Sequence, residues 1–156
     1  MIKILISIIL LQTTTNLLAE NLCPTKKDVL FSCSIDKSKK SVSICKAGDS
    51  VNYLFGTSEK IDITLPEGNN KSLVGLNYQS SATGENKGVT FARGDHVYLV
   101  QNVFGGKPPS EWDEIVVTLK GKKLTTLTCS NSQMSDGNIQ NIFDALKSKG
   151  VKVIEK

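Results

Sequence analysis

The chain's only histidine, His96, follows the tripeptide Arg93-Gly94-Asp95. Imidazole is the side chain most often used for proton transfer near neutral pH. Catalysis also needs a nucleophile or an orienting group beside it, but no GxSxG, HExxH or glycine-rich phosphate-loop sequence supplies one. The adjacent carboxylates of Asp113 and Glu114 are expected to point apart on a strand. The sequence therefore predicts a protein that is not an enzyme, with paired carboxylates from distant loops as the enzymatic alternative.

The tripeptide Arg93-Gly94-Asp95 is one that animal cell-adhesion receptors bind. It stands between "VTFA" and "HVYLVQ", whose alternation of apolar and polar residues predicts two strands. A glycine followed by an aspartate suits the tight turn of a hairpin, because glycine adopts positive φ at little cost. A hairpin turn is thus the favoured interpretation, and an adhesion signal is the least favoured function.

Four cysteines are present, Cys23, Cys33, Cys45 and Cys129. An even number in an exported chain predicts two disulfides. A metal site is not predicted, because there is no CxxC pair and only one histidine. The order along the chain favours Cys23 with Cys129 and Cys33 with Cys45. Strand parity instead favours Cys23 with Cys45, because a regular hairpin places Cys33 and Cys45 on opposite faces unless a bulge intervenes.

Residues 1–19 have the layout of a secretory signal peptide, with Lys3 before a short apolar run and Ala19 as the last residue before cleavage. The apolar run is about eight residues long, whereas a membrane-spanning helix needs about 20. Leu22 before Cys23 argues against a lipid-attachment cysteine. We therefore expect residues 20–156 to form a single β-rich domain that is periplasmic or secreted and leaves the membrane after cleavage.

The full chain carries 19 basic and 15 acidic residues. Without Lys3 the basic residues number 18, and the net charge falls from +4 to +3. This excess is spread along the chain and does not form the basic stripe with aromatic residues that nucleic-acid binding needs. Neither a nucleic-acid partner nor a cofactor is predicted.

About nine short segments alternate apolar and polar residues, and turn residues separate them. The fold class predicted from this pattern is mainly β, an antiparallel sandwich or small barrel of about nine strands. The end of the chain differs, because four apolar residues recur at helical spacing. Ser135 or Asp136 can cap this C-terminal helix and Gly150 can end it. The apolar residues in question are Ile139, Ile142, Phe143 and Leu146.

Two segments are predicted as binding loops. In "FGGKPPSEWDE" a pair of glycines precedes a pair of prolines, and Trp112 is the chain's only tryptophan. A stiff loop loses little entropy on binding, and tryptophan is a frequent interface hot spot, although large aromatic residues are more often buried at the edge of a core. Lys107 and Trp112 are its candidate contact residues. The second segment, Asn77 to Gly88, is polar and rich in serine and threonine, and a plain solvated hairpin loop is the alternative there.

Two resemblances suggest what such loops could do. Between Leu30 and Pro66 the sequences "LFSCSIDKSKKSVSICKAG" and "YLFGTSEKIDITLP" resemble a pattern in small exported β proteins of Gram-negative bacteria that have no assigned activity. A shorter stretch, "SSATGENKGVTFARGDHVYLV", resembles the periplasmic inhibitors of C-type lysozyme. Those inhibitors are small β-barrels with a Ser-Ala-Ser-Gly loop that enters the lysozyme cleft. Here Thr83 replaces the second serine and the spacing after Gly84 departs from the pattern. The resemblance implies that Ser81 and Thr83 contact the partner.

The function predicted from these features is a non-enzymatic periplasmic binding protein, an inhibitor or immunity protein that blocks a cell-wall hydrolase or a secreted toxin. A rigid, disulfide-bonded scaffold presents its loops with little ordering cost. The alternative is a structural or interaction protein of the envelope with no dedicated target.

Overall fold

The computed structural model describes residues 21–66, 73–133 and 138–155. The predicted signal peptide, its cleavage site after Ala19, and the predicted capping residues Ser135 and Asp136 lie outside these ranges.

Ten strands form one sheet in the described part of the chain, in the order β10-β5-β6-β7-β8-β9-β1-β2-β3-β4. The mainly β fold class with one C-terminal helix is thereby confirmed, and each of the nine predicted segments is a strand. The bounds are β1 (Val29–Ile35), β2 (Ser41–Ala47), β3 (Ser50–Gly56), β4 (Ile61–Leu65), β5 (Val74–Ser81), β6 (Gly84–Arg93), β7 (His96–Gly105), β8 (Ser110–Leu119), β9 (Lys122–Gln133) and β10 (Val153–Glu155).

Apart from β10, the sheet consists of two antiparallel meanders, β1–β4 and β5–β9, which meet where β9 pairs with β1. It folds over a common core, so that Tyr53 on β3 contacts residues of the other meander. The Tyr53 ring centroid lies 5.4 Å from that of Phe91 and 5.6 Å from that of Tyr98. Tyr53 is almost completely buried, and this burial raises the pKa of its hydroxyl.

Strand β10 is an addition that the sequence pattern did not predict. It pairs in parallel with β5, with Ile154 opposite Asn77. Three residues are too few to show a period-two pattern, and only the neighbouring strand β5 gives them their conformation.

The helix α1 (Ile139–Ser148) buries the four predicted apolar residues against β5, β6 and β7. It begins after Asn138, whose side-chain oxygen accepts a hydrogen bond from the Asn141 N–H. Its end is as predicted: Gly150 has φ +81°, and the N–H of Val151 donates to the Leu146 carbonyl. No helix in the described ranges is long and apolar enough to span a membrane.

Two disulfides join Cys23 to Cys45 and Cys33 to Cys129. The pairing favoured by chain order is wrong, and the one favoured by strand parity is correct. A bulge does occur in β1, between Val29 and Phe31, but Cys33 lies beyond it and pairs with Val42 on the core face. The cysteine on β2 therefore faces the other side of the sheet. There it forms a second small cluster under the N-terminal segment, which consists of Leu22, Cys23, Val29, Cys45 and Leu54.

The two disulfides should contribute unequally to stability. Cys33–Cys129 closes a sequence separation of 96 residues and Cys23–Cys45 one of 22. Chain entropy alone makes removal of the longer link costlier by about 1.3 kcal/mol. We expect the double variant Cys33→Ala/Cys129→Ala to have a lower free energy of unfolding than Cys23→Ala/Cys45→Ala in urea titrations. Equal values, or the reverse order, would contradict this.

Candidate functional site

The two predicted binding segments meet at one end of the sheet. The β5–β6 hairpin turns at Ala82 and Thr83, and the β7–β8 hairpin turns through residues 106–109. Because β6 pairs with β7, Gly84 lies directly opposite Gly105 and the two turns lie side by side. Together they form a groove of about 480 Å³, which we call the hairpin groove.

The hairpin groove contains three of the four residues predicted to contact a partner. Ser81 and Thr83 line it from the first hairpin, and Trp112 lines it from the second. Lys107 does not line the groove but is exposed in the adjoining turn, next to the lining residue Gly106. The groove also contains residues that the sequence did not single out. These are Gln79 and Asn86 from the first hairpin and Val103 and Phe104 from the second.

Both segments are shorter as loops than predicted. Most of Asn77 to Gly88 belongs to β5 and β6, and only residues 82–83 connect them. Likewise Trp112 stands on β8, not in a loop. The sequence pattern did not predict these parts of the strands, because their residues are polar. Pairing with neighbouring strands, rather than intrinsic propensity, sets their conformation.

Hydrogen bonds hold both turns in place. The Ser81 hydroxyl accepts from the Thr83 N–H at 3.4 Å and donates to the Gly84 carbonyl at 3.2 Å. On the other side, the Ser110 hydroxyl donates to the Gly105 carbonyl at 3.2 Å. Small side chains that bond the local backbone in this way stabilise turns. The groove is therefore largely ordered before any ligand binds.

The four strands β5–β8 extend past their neighbours at this end, and we call this extension the tip. Strand β9 pairs with β8 only from Glu114 onward, and β10 pairs with β5 only up to Tyr78. Two exposed aromatic residues occupy the tip, Phe104 at 46% and Trp112 at 39% relative exposure. Val103 is the register partner of Trp112. Because successive residues alternate in direction, Phe104 lies on the opposite face of the tip from Trp112.

A chain of hydrogen bonds fixes the orientation of Trp112. Its indole N–H donates to one carboxylate oxygen of Glu114 at 3.1 Å. The other oxygen accepts from the side-chain amide of Gln101 at 2.8 Å. Gln101 is buried, with 6% relative exposure. The tryptophan ring is thereby held against the sheet while much of it remains accessible, which lies between the two alternatives for Trp112, an exposed contact residue and a residue buried at the core edge.

His96 and the Arg-Gly-Asp tripeptide lie at the other end of the β6–β7 hairpin from the groove. Ten-residue β6 separates the two ends by about 30 Å. Gly94 has φ +55°, as its predicted turn requires. The Asp95 carbonyl accepts from the Lys120 N–H at 2.9 Å, which joins this turn to the next one. His96 is half-buried, and its ring lies 6.3 Å from that of Tyr98.

Asp113 and Glu114 point apart as predicted, since each bonds a different residue on β7. The Asn102 amide donates to Asp113 at 3.1 Å, whereas Glu114 accepts from Gln101. Within the described ranges, no group of three or more histidine, cysteine, aspartate or glutamate residues could hold a metal ion.

Comparison of the chain with protein-family models, with curated proteins and with solved structures found no match to any of them.

Close backbone approach at the hairpin groove makes Gly84 sensitive to substitution. A Cβ at Gly84 would lie 2.1 Å from the Phe104 carbonyl oxygen, whereas one at Gly105 would lie 3.2 Å from its nearest neighbour, the Thr83 carbonyl oxygen. We expect Gly84→Ala to destabilise the protein by about 1–3 kcal/mol, because β6 and β7 must separate. Gly105→Ala is the matched control and should cost clearly less in thermal unfolding. A larger loss in the control would contradict this geometry.

Proposed function

We propose that this chain is a non-enzymatic binding protein of the bacterial periplasm, which blocks a cell-wall hydrolase or a secreted toxin through the tip. One observation carries the proposal. The segment with Ser81 and Thr83 and the segment with Lys107 and Trp112, distant in sequence, lie together at the end of one projecting part of the sheet. These are the residues expected to contact a partner on independent sequence grounds.

The shape of the tip supports a partner with a cleft. Four strands at about 4.8 Å spacing make it about 14 Å wide. Phe104 and Trp112 lie on opposite faces of it. A flat partner could cover only one of these aromatic residues, whereas a cleft that receives the tip would bury both. Buried aromatic residues contribute much of the binding energy at protein interfaces.

The order of the tip also supports the proposal. Strand pairing and the hydrogen bonds of Ser81 and Ser110 leave little conformational entropy to be lost on binding. Lys107 adds an exposed positive charge at the turn, which can pair with a carboxylate of the partner. The two disulfides are compatible with an exported protein, because such bonds persist in oxidising compartments.

Inhibition measurements test this proposal. Purified residues 20–156 are to be mixed with C-type lysozyme, other peptidoglycan hydrolases and candidate toxins, and both residual activity and complex formation are measured. We expect at least one enzyme to be inhibited in a 1:1 complex. Trp112→Ala should then raise the inhibition constant about 30-fold, because loss of a hot-spot aromatic costs about 2 kcal/mol.

Leu124→Ala is the matched control, since Leu124 is also exposed, at 55%, but lies on β9 near the other end of β8. It should leave the inhibition constant unchanged. Failure to bind any member of the panel would contradict the proposal, and so would equal effects of the Trp112 and Leu124 substitutions.

A further inference from the structure

The hairpin groove contains no charged residue. In this chain 22% of residues are charged, yet all eleven residues that line the groove are neutral. They provide two amides, from Gln79 and Asn86, as well as hydroxyls and an indole ring. Ligand sites place a few polar groups so that they match the polar groups of the ligand. A neutral, polar groove therefore favours an uncharged ligand rich in hydrogen-bonding groups.

Strand register arranges these groups in a row. Gln79, Asn86, Val103 and Trp112 are successive partners across β5, β6, β7 and β8, on the face of the sheet that is turned away from the core. The row extends over about 14 Å, with amides at one end and the tryptophan at the other. An elongated ligand can thus stack on the ring while it bonds the amides.

The indole ring of Trp112 offers an apolar surface to the groove. Its N–H is already bonded to Glu114, so the part of the indole that remains for a ligand is apolar. The face of an aromatic ring carries partial negative charge. The C–H groups on one face of a sugar ring carry partial positive charge and can pack on it, while the hydroxyl groups at the sugar's edge reach neighbouring amides.

A second, independent observation points to a hydroxyl-bearing ligand. In the next row inward on the same face, Asn77 on β5 and Gln101 on β7 are partners of Gly88, which lies between them. Both are buried at 6% relative exposure. The Asn77 Nδ2 donor and the Gln101 Oε1 acceptor have no hydrogen-bond partner among the described residues. Both atoms are closed to solvent beside the groove and do not line it.

Buried polar atoms are normally bonded. Because Glu114 can only accept, it fixes the Gln101 amide with its nitrogen toward β8 and leaves its oxygen unpaired. A hydroxyl group both accepts and donates, so one hydroxyl can satisfy an amide donor and an amide acceptor together.

We propose that the hairpin groove, with the adjoining Asn77 and Gln101, binds a neutral saccharide. Trp112 stacks on a sugar ring, and Gln79 and Asn86 bond its hydroxyl or acetamido groups. A further hydroxyl reaches the inner amides when the side chains that cover them move aside. The inference goes beyond the proposed function, because the ligand is a glycan rather than a protein and the binding needs no hydrolase.

Trp112 is the only tryptophan, so its fluorescence reports directly on the groove. Chitotetraose and cellotetraose, two neutral oligosaccharides, are titrated into residues 20–156, and a neutral tetrapeptide serves as the competing ligand class. We expect a saturable change in emission with at least one oligosaccharide below about 10 mM and no saturable change with the peptide. No saturation with either sugar, or saturation with the peptide alone, overturns the proposal.

Variants locate the site. Asn86→Leu and Gln79→Leu should each weaken saccharide binding about tenfold, because each removes hydrogen bonds that the ligand would otherwise make. Asn52→Leu makes the same change on β3, outside the groove, and should bind as the parent does. Equal weakening in all three variants overturns the assignment to the groove.

The two proposals can fail separately. Asn86→Leu lies inside the groove, whereas Lys107→Ala changes only the adjoining turn. If the first variant loses saccharide binding and still inhibits a hydrolase, the glycan site stands apart from the protein interface. Loss of inhibition in Lys107→Ala with normal saccharide affinity supports the same separation. If Lys107→Ala loses saccharide binding while Asn86→Leu keeps it, the groove is not the glycan site.

Discussion

The pairing of β1 with β9 is the contact on which the rest of the architecture depends. Each meander can form its own hairpins locally, but among the described strands only this seam joins them into one sheet. The Cys33–Cys129 disulfide crosses it and joins two cysteines at a sequence separation of 96 residues. A covalent link over so long a separation removes much of the entropy of the unfolded chain. With the seam in place, Tyr53 of the first meander packs against Phe91 and Tyr98 of the second.

The seam also determines what is left free at the far end of the second meander. Because β9 leaves β8 after Glu114 to pair with β1, the beginning of β8 has a neighbour on one side only. The same strand therefore holds Glu114 inside the sheet and Trp112 on the projecting tip. The bond between these two side chains connects the ordered interior with the exposed groove. The proposed binding surface therefore lies where the pairing of β8 with β9 ends, while pairing with β7 still holds β8 in place.

Much of the fold could be predicted from the sequence because each strand in the core alternates apolar and polar residues. β1 is an example, since Phe31, Cys33 and Ile35 all face the core, as their parity predicts. The same parity predicted that Cys33 and Cys45 lie on opposite faces of the sheet, and it gave the correct disulfide partner for Cys23. The order of the cysteines along the chain predicted the wrong pairing, because proximity in sequence says nothing about which face of the sheet a cysteine occupies.

The candidate site was harder to predict, because its chemistry depends on register between strands. Ser81, Thr83 and Trp112 could be chosen from composition, but Gln79 and Asn86 read as ordinary loop residues. Only the pairing of β5 with β6 places those two amides side by side. The importance of Asn77 and Gln101 depends likewise on Gly88, their shared partner. Local sequence patterns do not contain this information, since register is set by partners far along the chain.

The central claim is that ligands bind at the hairpin end with the groove and not at the end with Arg93, Gly94 and Asp95. Amide chemical-shift mapping of labelled residues 20–156 tests it most directly, with an inhibited hydrolase or chitotetraose as the added ligand. Perturbed amides should cluster in residues 77–88 and 101–114 while those of residues 92–97 stay unchanged. Perturbations centred on residues 92–97, or none with either ligand, would contradict it.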